Sequence, residues 1–297
     1  MKDGFLFSMR FLKSDYMRPV PLITFLILFS SGSILAQQTI LNGPYIKSTA
    51  ADRTPLSYAS LREADVMWSR RIWRVIDLNE KMNNPLRYPL TKTGDRISLI
   101  DALLSAIKDG SLTAYDATDD EFTLPATLDQ VTAKGGARRD TVKMQRPDPP
   151  YDEYDTVITK EFTSDKVIGY RLKEDWFFDK QRSVMDQRII GIAPLVYAVD
   201  EKGDIRPGNQ KIPLFWIYYP EARGLLGKIP IYIRDNNGTP LTFDDVFQKR
   251  LFSSYVTKES NVYDRRIEDY SQGLRALLES DKIKNDITNF EHDMWEY

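Results

Sequence analysis

The sequence predicts an α+β fold, with amphipathic helices packed on short, mainly antiparallel strands and a helical C-terminus. Three observations point to it. Apolar residues recur at three- and four-residue spacing over 61–82, 100–107 and 267–294, the period of one helix face. Short apolar runs bounded by Gly, Pro and Asn lie between them, at 154–162, 188–199, 211–219 and 228–234, as strands do. Hydrophobic residues make up 42% of the 297, and aromatic residues 12%, enough to bury a core.

Residues 1–36 have the form of a secretory signal peptide. Lys2, Arg10, Lys13 and Arg18 precede or flank an apolar run from Val20 to Phe29, and Ile34-Leu35-Ala36 offers a small residue at the cut. The run is about half the roughly 20 residues that a membrane span needs. Met17 would begin a tidier signal than Met1. Removing residues 1–36 takes away four basic and two acidic residues and moves the net charge from −2 to −4. No basic tract remains to attract nucleic acid. The chain has no cysteine, which excludes disulfides, thiolate catalysis and lipid attachment through an N-terminal cysteine. Export without cysteine fits a bacterial envelope compartment, with any membrane association made through a partner.

Residues 37–60 are polar and turn-rich and predict an extended N-terminal arm. The first α+β half, 61–115, opens on LREADVMWSRRIWRVIDLNEKMNNPLRYPL (61–90). Leu61, Ala64, Trp68, Ile72, Val75, Asn79 and Met82 fall at helical spacing, so a helix about six turns long is predicted, stopped at Asn83-Asn84-Pro85. Asp77 is placed to pair with Lys81 at i,i+4. Arg70, Arg71 and Arg74 would form a basic face of that helix and are the candidate partner interface. Trp68 and Ile72, with Trp176 and Trp216, are the candidate core. Trp68 and Trp73 are five residues apart and cannot share the centre of one narrow helical stripe. Leu86–Leu90 predicts a short edge strand. Ser98 caps a second helix with Asp101 at its third position, and Gly110 ends it; Leu112, Ala114 and Tyr115 suggest a short strand.

Residues 116–153 carry Asp119-Asp120-Glu121, Gly135-Gly136 and Arg146-Pro-Asp-Pro-Pro150, and predict a linker or long surface excursion. The acidic triplet lacks the ladder of a calcium loop and fits a solvated turn better. The second α+β half, 154–260, opens on a strand over Tyr154–Phe162. A helix is then expected over Leu172–Asp186, followed by a buried strand over Arg188–Val199, interrupted at Pro194. Lys211–Tyr219 and Lys228–Arg234 would pair antiparallel around Pro220–Gly224. Asp235–Gly238 is a turn, and Thr242 caps a helix with Asp245 at its third position. Residues 261–297 form C-terminal helices. Their two apolar stripes (Ile267, Tyr270, Leu274, Leu277, Leu278; then Ile283, Ile287, Phe290, Met294) slip in phase near Ser280, which predicts a bend. Asp65–Tyr88 and Glu174–Tyr197 both end P-L-x-Y, suggesting related halves.

No catalytic, cofactor or metal constellation stands out. His292, the sole histidine, lies near the chain end, where no rigid shell would hold it. Gly203-x4-Gly208 lacks the Lys-Ser/Thr of a phosphate loop, and Asn237-Gly238-Thr239 reads more simply as a hairpin turn than as a glycosylation site. Two other classes compete with a structural role. A periplasmic cell-wall (peptidoglycan) hydrolase would use paired carboxylates, and a small-ligand binding protein would use Trp216, Tyr218 and Tyr219 as a stacking shelf.

Four stretches, in order, carry a resemblance: WSRRIWRVIDLNEKMN (68–83), RLKEDWFFDKQRSVMDQRIIGIAPLVY (171–197), LFWIYYPEAR (214–223) and the tail YSQGLRALLES…NFEHDMWEY (270–297). They resemble the GldN/PorN family of gliding-motility and type IX secretion proteins. The resemblance implies a non-enzymatic structural subunit of that secretion and gliding motility machinery, without cofactors, in the periplasm and associated with the outer membrane. The implied partners are an outer-membrane lipoprotein of the GldK/PorK type, which supplies the lipid anchor, and the periplasmic domain of a GldM/PorM-type motor protein. The implied assembly is a ring built by self-association with the lipoprotein. No family residues carry catalysis.

Overall fold

A computed structural model describes residues 53–94, 96–145, 153–160, 162–200, 204–232 and 241–295. The signal peptide, residues 37–52, Gly203, and the Asp235–Gly238 turn with its sequon lie outside them.

The long amphipathic stretch is not a helix. Val66–Asp77 is β1, a strand whose burial alternates over its first half and is continuous from Ile72 to Ile76. A strand buried on both faces carries unbroken apolar sequence, and within such a run residues at helical spacing are found by chance. Its β-branched and aromatic residues suit a pleated surface, and it is paired along both edges. The strand also resolves the tryptophan spacing, because residues five apart on a strand face opposite sides. Asn83-Asn84-Pro85 begins a helix instead of ending one. Asn84–Arg87 is α1, with Pro85 in its first turn, replacing the expected edge strand. Asn83 is fully buried and bonds the carbonyls of Asp77 (2.7 Å) and Ser253 (3.0 Å) while accepting from Ser253 N–H (2.9 Å). Asp77 pairs with Lys211 at 3.5 Å, not with Lys81.

Leu99–Lys108 is α2, its Ser98 cap accepting from Asp101 N–H. Ala114–Tyr115 is β2. The expected linker holds structure: α3 is Leu128–Lys134, closed by a Thr127–Gln130 capping box, and β3 is Arg138–Gln145. β3 pairs with β4 (Glu153–Lys160) as a separate two-stranded sheet. The helix expected over 172–186 is the hairpin of β5 (Gly169–Asp179) and β6 (Val184–Tyr197). Asp179 shapes its turn by accepting from Gln181 N–H, Arg182 N–H and the Arg182 side chain. β7 (Lys211–Pro213) and β8 (Trp216–Tyr218) both pair with β6, and α4 (Tyr219–Leu226) follows. The strand after it, β9 (Pro230–Ile231), pairs with β10 (Leu241–Thr242), not with 211–219 as expected. α5 is Phe243–Gln248, capped by Thr242 and Asp245, and β11 is Tyr255–Glu259. The short α6 (Ile267–Tyr270) leads to α7, which runs unbroken over Leu274–Trp295.

The main sheet has seven strands in the order β11-β1-β5-β6-β8-β2, with β7 also on β6, and all pairs are antiparallel. Strands from 66–77 and from 169–259 therefore share one sheet. The P-L-x-Y ends also differ, one in and just after α1 and the other in β6, so the suggested likeness of halves has no counterpart in the fold. Alternation along β1 puts Trp68, Arg70, Ile72, Arg74 and Ile76 on one face. Near Ile76 that face meets α2, α4 and α5 in the main core, around Tyr170, Leu172, Leu103, Tyr219 and Phe247. Near Ile72 it meets α7 in a second cluster of Ile283, Ile287 and Val256, with Trp68 against Phe290 at 4.8 Å. The phase slip expected at Ser280 is absorbed without a bend. Ser280 is buried, and its hydroxyl accepts from Val256 N–H at 2.7 Å.

Residues 53–60 are strapped onto α4 and α5. Arg223, paired with the buried Asp244 (3.0 Å), donates to the Leu56 carbonyl (2.6 Å), and its guanidinium lies 4.3 Å from the Tyr58 ring centroid. Arg188 bonds the Ala59 carbonyl at 2.6 Å.

The strand assignment makes a direct prediction. Ile76→Ala, at a fully buried position, should cost about 2–5 kcal/mol in urea unfolding. Met67→Ala, on the same strand but 66% exposed, should stay within about 0.5 kcal/mol.

Candidate interaction surface

The three arginines singled out in the sequence do not form one basic face. They divide between the two sides of β1, and each has its own acid. Arg70 lies on the helix-covered side, 3.2 Å from Glu259 on β11, with its guanidinium 5.6 Å from the Trp68 ring centroid. Arg71 lies on the opposite side and grips Asp175 with two bonds of 2.6 and 2.9 Å, which raise its pKa. Arg74 is buried, so it cannot meet a neighbour as the helical reading required. Burial lowers its pKa, and the charge of Glu174 opposes that shift.

Glu174 is the centre of a buried polar layer. Its carboxylate is fully buried and receives Arg250 at 2.8 and 2.9 Å and Arg74 at 3.3 Å. Arg74 is there as a counter-charge without a hydrogen bond, the Trp176 indole N–H donates at 3.1 Å, and both guanidiniums lie 5.4 Å from the Trp176 ring centroid. Arg250 holds a left-handed backbone, φ +52°, a conformation that persists only where its surroundings over-determine it. Of the candidate core residues, Ile72 and Trp216 are buried. Trp68 and Trp176 are partly buried and pack on the α7 cluster.

Among the described residues, no helix packs closely on the other side of the sheet against β1 and β5. The acidic turn, placed in solvent by the sequence reading, lies across it. Asp120 accepts the Trp73 indole N–H, and its carbonyl accepts from Lys173 at 2.6 Å. Phe122, at φ +60°, packs edge-on against Tyr115, Trp216 and Tyr218. Gly191 is required beneath it, since a Cβ there would stand 2.5 Å from the Phe122 ring. The stacking shelf of Trp216, Tyr218 and Tyr219 is therefore closed. Phe122 covers the first two, and Tyr219 is buried, bonded through its hydroxyl to Asp244 at 2.7 Å.

Between this turn, β11 and α6 lies a concavity of about 520 Å³. Its walls hold Arg71, Arg171, Lys173, Lys258 and Arg266 with Asp119, Asp120, Glu121 and Asp264, over Trp73 and Trp216. Lys173 pairs with Asp120 at 3.4 Å and Lys258 with Asp264 at 2.5 Å. Among the described residues, neither Arg171 nor Arg266 has an ion pair, and the Arg171 Nε is buried without an acceptor. Burial, then the neighbouring Arg266 charge, lowers the Arg171 pKa, against the pull of Glu268. Nothing local in the sequence marks this pair, because β5 and the residue capping α6 bring together positions 95 apart.

A second exposed feature is the outer side of α7. Of the first apolar stripe, Ile267 is buried, while Tyr270, Leu274, Leu277 and Leu278 are in solvent, with Leu274 72% and Leu278 60% exposed. Tyr263 and Val262 lie exposed on the loop before α6. His292 is exposed on the same helix.

The family model described as gliding motility associated protein GldN matches residues 61–296. The chain belongs to the GldN family. It is a gliding motility associated protein by that membership, and the match takes in the sheet, the helices and both exposed features. No curated protein matches it.

For this GldN-family chain the three arginines should behave differently. Arg74→Glu sets two carboxylates together in a buried layer and should cost roughly 3–5 kcal/mol, as breaking a buried pair does. Arg70→Glu and Arg71→Glu, at pairs open to water, should each cost about 1 kcal/mol or less. Urea melts of the three purified variants check this; equal losses would return the arginines to a single face.

Proposed function

We propose that the chain is a non-enzymatic structural subunit of the type IX secretion and gliding motility machinery, held at the periplasmic side of the outer membrane in a ring with a lipoprotein of the GldK/PorK type. The periplasmic domain of a GldM/PorM-type motor protein contacts that ring. The observation that carries this reading, beyond family membership, is the apolar outer side of α7. Contiguous exposed apolar side chains on a folded protein mark an interaction surface, and here they lie on a helix whose opposite side is already anchored to the sheet. The buried carboxylates support the structural role, since Glu174 and Asp244 are each committed to arginines that hold elements together.

Among the described residues no helix is long and apolar enough to cross a membrane. A lipoprotein partner accounts for outer-membrane association in a chain without cysteine.

The test is affinity isolation of the tagged chain from detergent-solubilised envelopes, followed by mass spectrometry. The lipoprotein and the motor protein should be recovered in fixed ratio, and Leu274→Asp/Leu278→Asp should abolish recovery of at least one of them while leaving the melting temperature unchanged. Recovery of neither by the wild-type chain would reject the assignment. Release of soluble wall fragments from isolated peptidoglycan would replace it with the hydrolase.

A further inference from the structure

We propose that the helix-free side of the sheet is a docking groove for an acidic segment of a partner protein, whose carboxylates are received by Arg171 and Arg266. This rests on the assembly reading above and names the chemistry of one contact.

The charge inventory of the concavity leads to it. Arg71, Lys173 and Lys258 are matched by Asp175, Asp120 and Asp264. Asp119 is used within its own turn, accepting from Glu121 N–H and Thr123. The two arginines that remain have no ion pair among the described residues, and the acid whose charge acts most on Arg171 is the exposed Glu268. The Arg171 Nε, like those of Arg74, Arg87 and Arg188, is buried without a hydrogen-bond acceptor; what sets Arg171 apart is that it lines the concavity and has no ion pair among the described residues. The two cations also repel each other, so an anion set between them relieves a strain that the free chain retains. Arginine suits this role because its planar fork binds carboxylates with two parallel bonds.

The mixed lining selects a peptide over a polyphosphate. Asp119, Asp120, Glu121 and Asp264 stand around the same concavity. They disfavour the dense charge of a nucleic acid backbone, whereas they can accept N–H groups from a peptide. Separate carboxylates on an extended segment meet the arginines without approaching these acids.

Trp73 and Trp216 line the groove, so tryptophan fluorescence of the purified chain reports occupancy. The probe is a synthetic heptapeptide alternating Glu and Gly, with its Gln counterpart and inorganic phosphate as comparisons. The Glu peptide should give a saturable change, and the Gln peptide none. Arg171→Gln/Arg266→Gln should weaken binding at least tenfold, while Arg275→Gln, on α7, should not. Should the double variant melt early, Arg266→Gln alone, at an exposed position, must still weaken binding. Equal binding by the double variant, or phosphate binding as tightly as the Glu peptide through the same arginines, overturns the proposal. So does the absence of any change with the Glu peptide. Envelope isolation separates the two ideas: partners recovered equally by wild type and double variant sink the groove and leave the subunit assignment standing.

Discussion

The fold depends on one buried carboxylate. Glu174 sits on β5 directly opposite Ile72 of β1, where the main core gives way to the cluster under α7. A carboxylate out of water is tolerated only when it is paired and its lone pairs are satisfied. Arg250 from the segment after α5 and the Trp176 N–H supply its hydrogen bonds, and Arg74 from β1 adds a second counter-charge at 3.3 Å. The layer therefore ties the sheet to the loop that leads into β11. It also fixes register: a slip of one residue between β1 and β5 would turn Arg74 to the other side and leave Glu174 short of a counter-charge.

The same alternation gives the molecule two unlike sides. Trp68, Ile72 and Ile76 bury against helices, while Arg71, Trp73 and Lys173 face an open concavity overlaid by an acidic turn. A ring subunit of the kind proposed above, contacting its neighbours head to tail, would have to present two different surfaces. The apolar outer side of α7 and the arginine-bearing groove are different in kind, one apolar and one charged, and they arise from opposite sides of a single sheet.

What could be read from the sequence was local chemistry. The Ser98–Asp101 and Thr242–Asp245 caps and the strand at 154 are set by neighbouring residues and appear there, and the strand expected at Arg188–Val199 is part of Val184–Tyr197, running through Pro194 without the expected interruption. The four ordered blocks pointed to the family that the family match shows. What could not be read was tertiary. At 72–76 the chain is buried on both faces, so its hydrophobic pattern carries no period, and helix and strand look alike. The aromatic run Trp176-Phe177-Phe178 is likewise a central strand that puts side chains on both sides. Arg171 and Arg266 meet only because the chain folds. Apolar spacing does not say which part of a stripe is covered either: Ile267 of the first C-terminal stripe is buried, while Leu274, Leu277 and Leu278 stand in water.

The pairing of Glu174 with Arg250 can be weighed by itself in a double-mutant cycle. Glu174→Ala, Arg250→Ala and the double variant would be compared with wild type by urea unfolding at neutral pH. If the buried layer organises the fold, the two losses are strongly non-additive, with a coupling of roughly 0.5–3 kcal/mol, because once one partner is gone the other gains nothing from being there. Strictly additive losses, with no coupling beyond error, would mean that Glu174 and Arg250 act independently and that the layer does not hold the structure together.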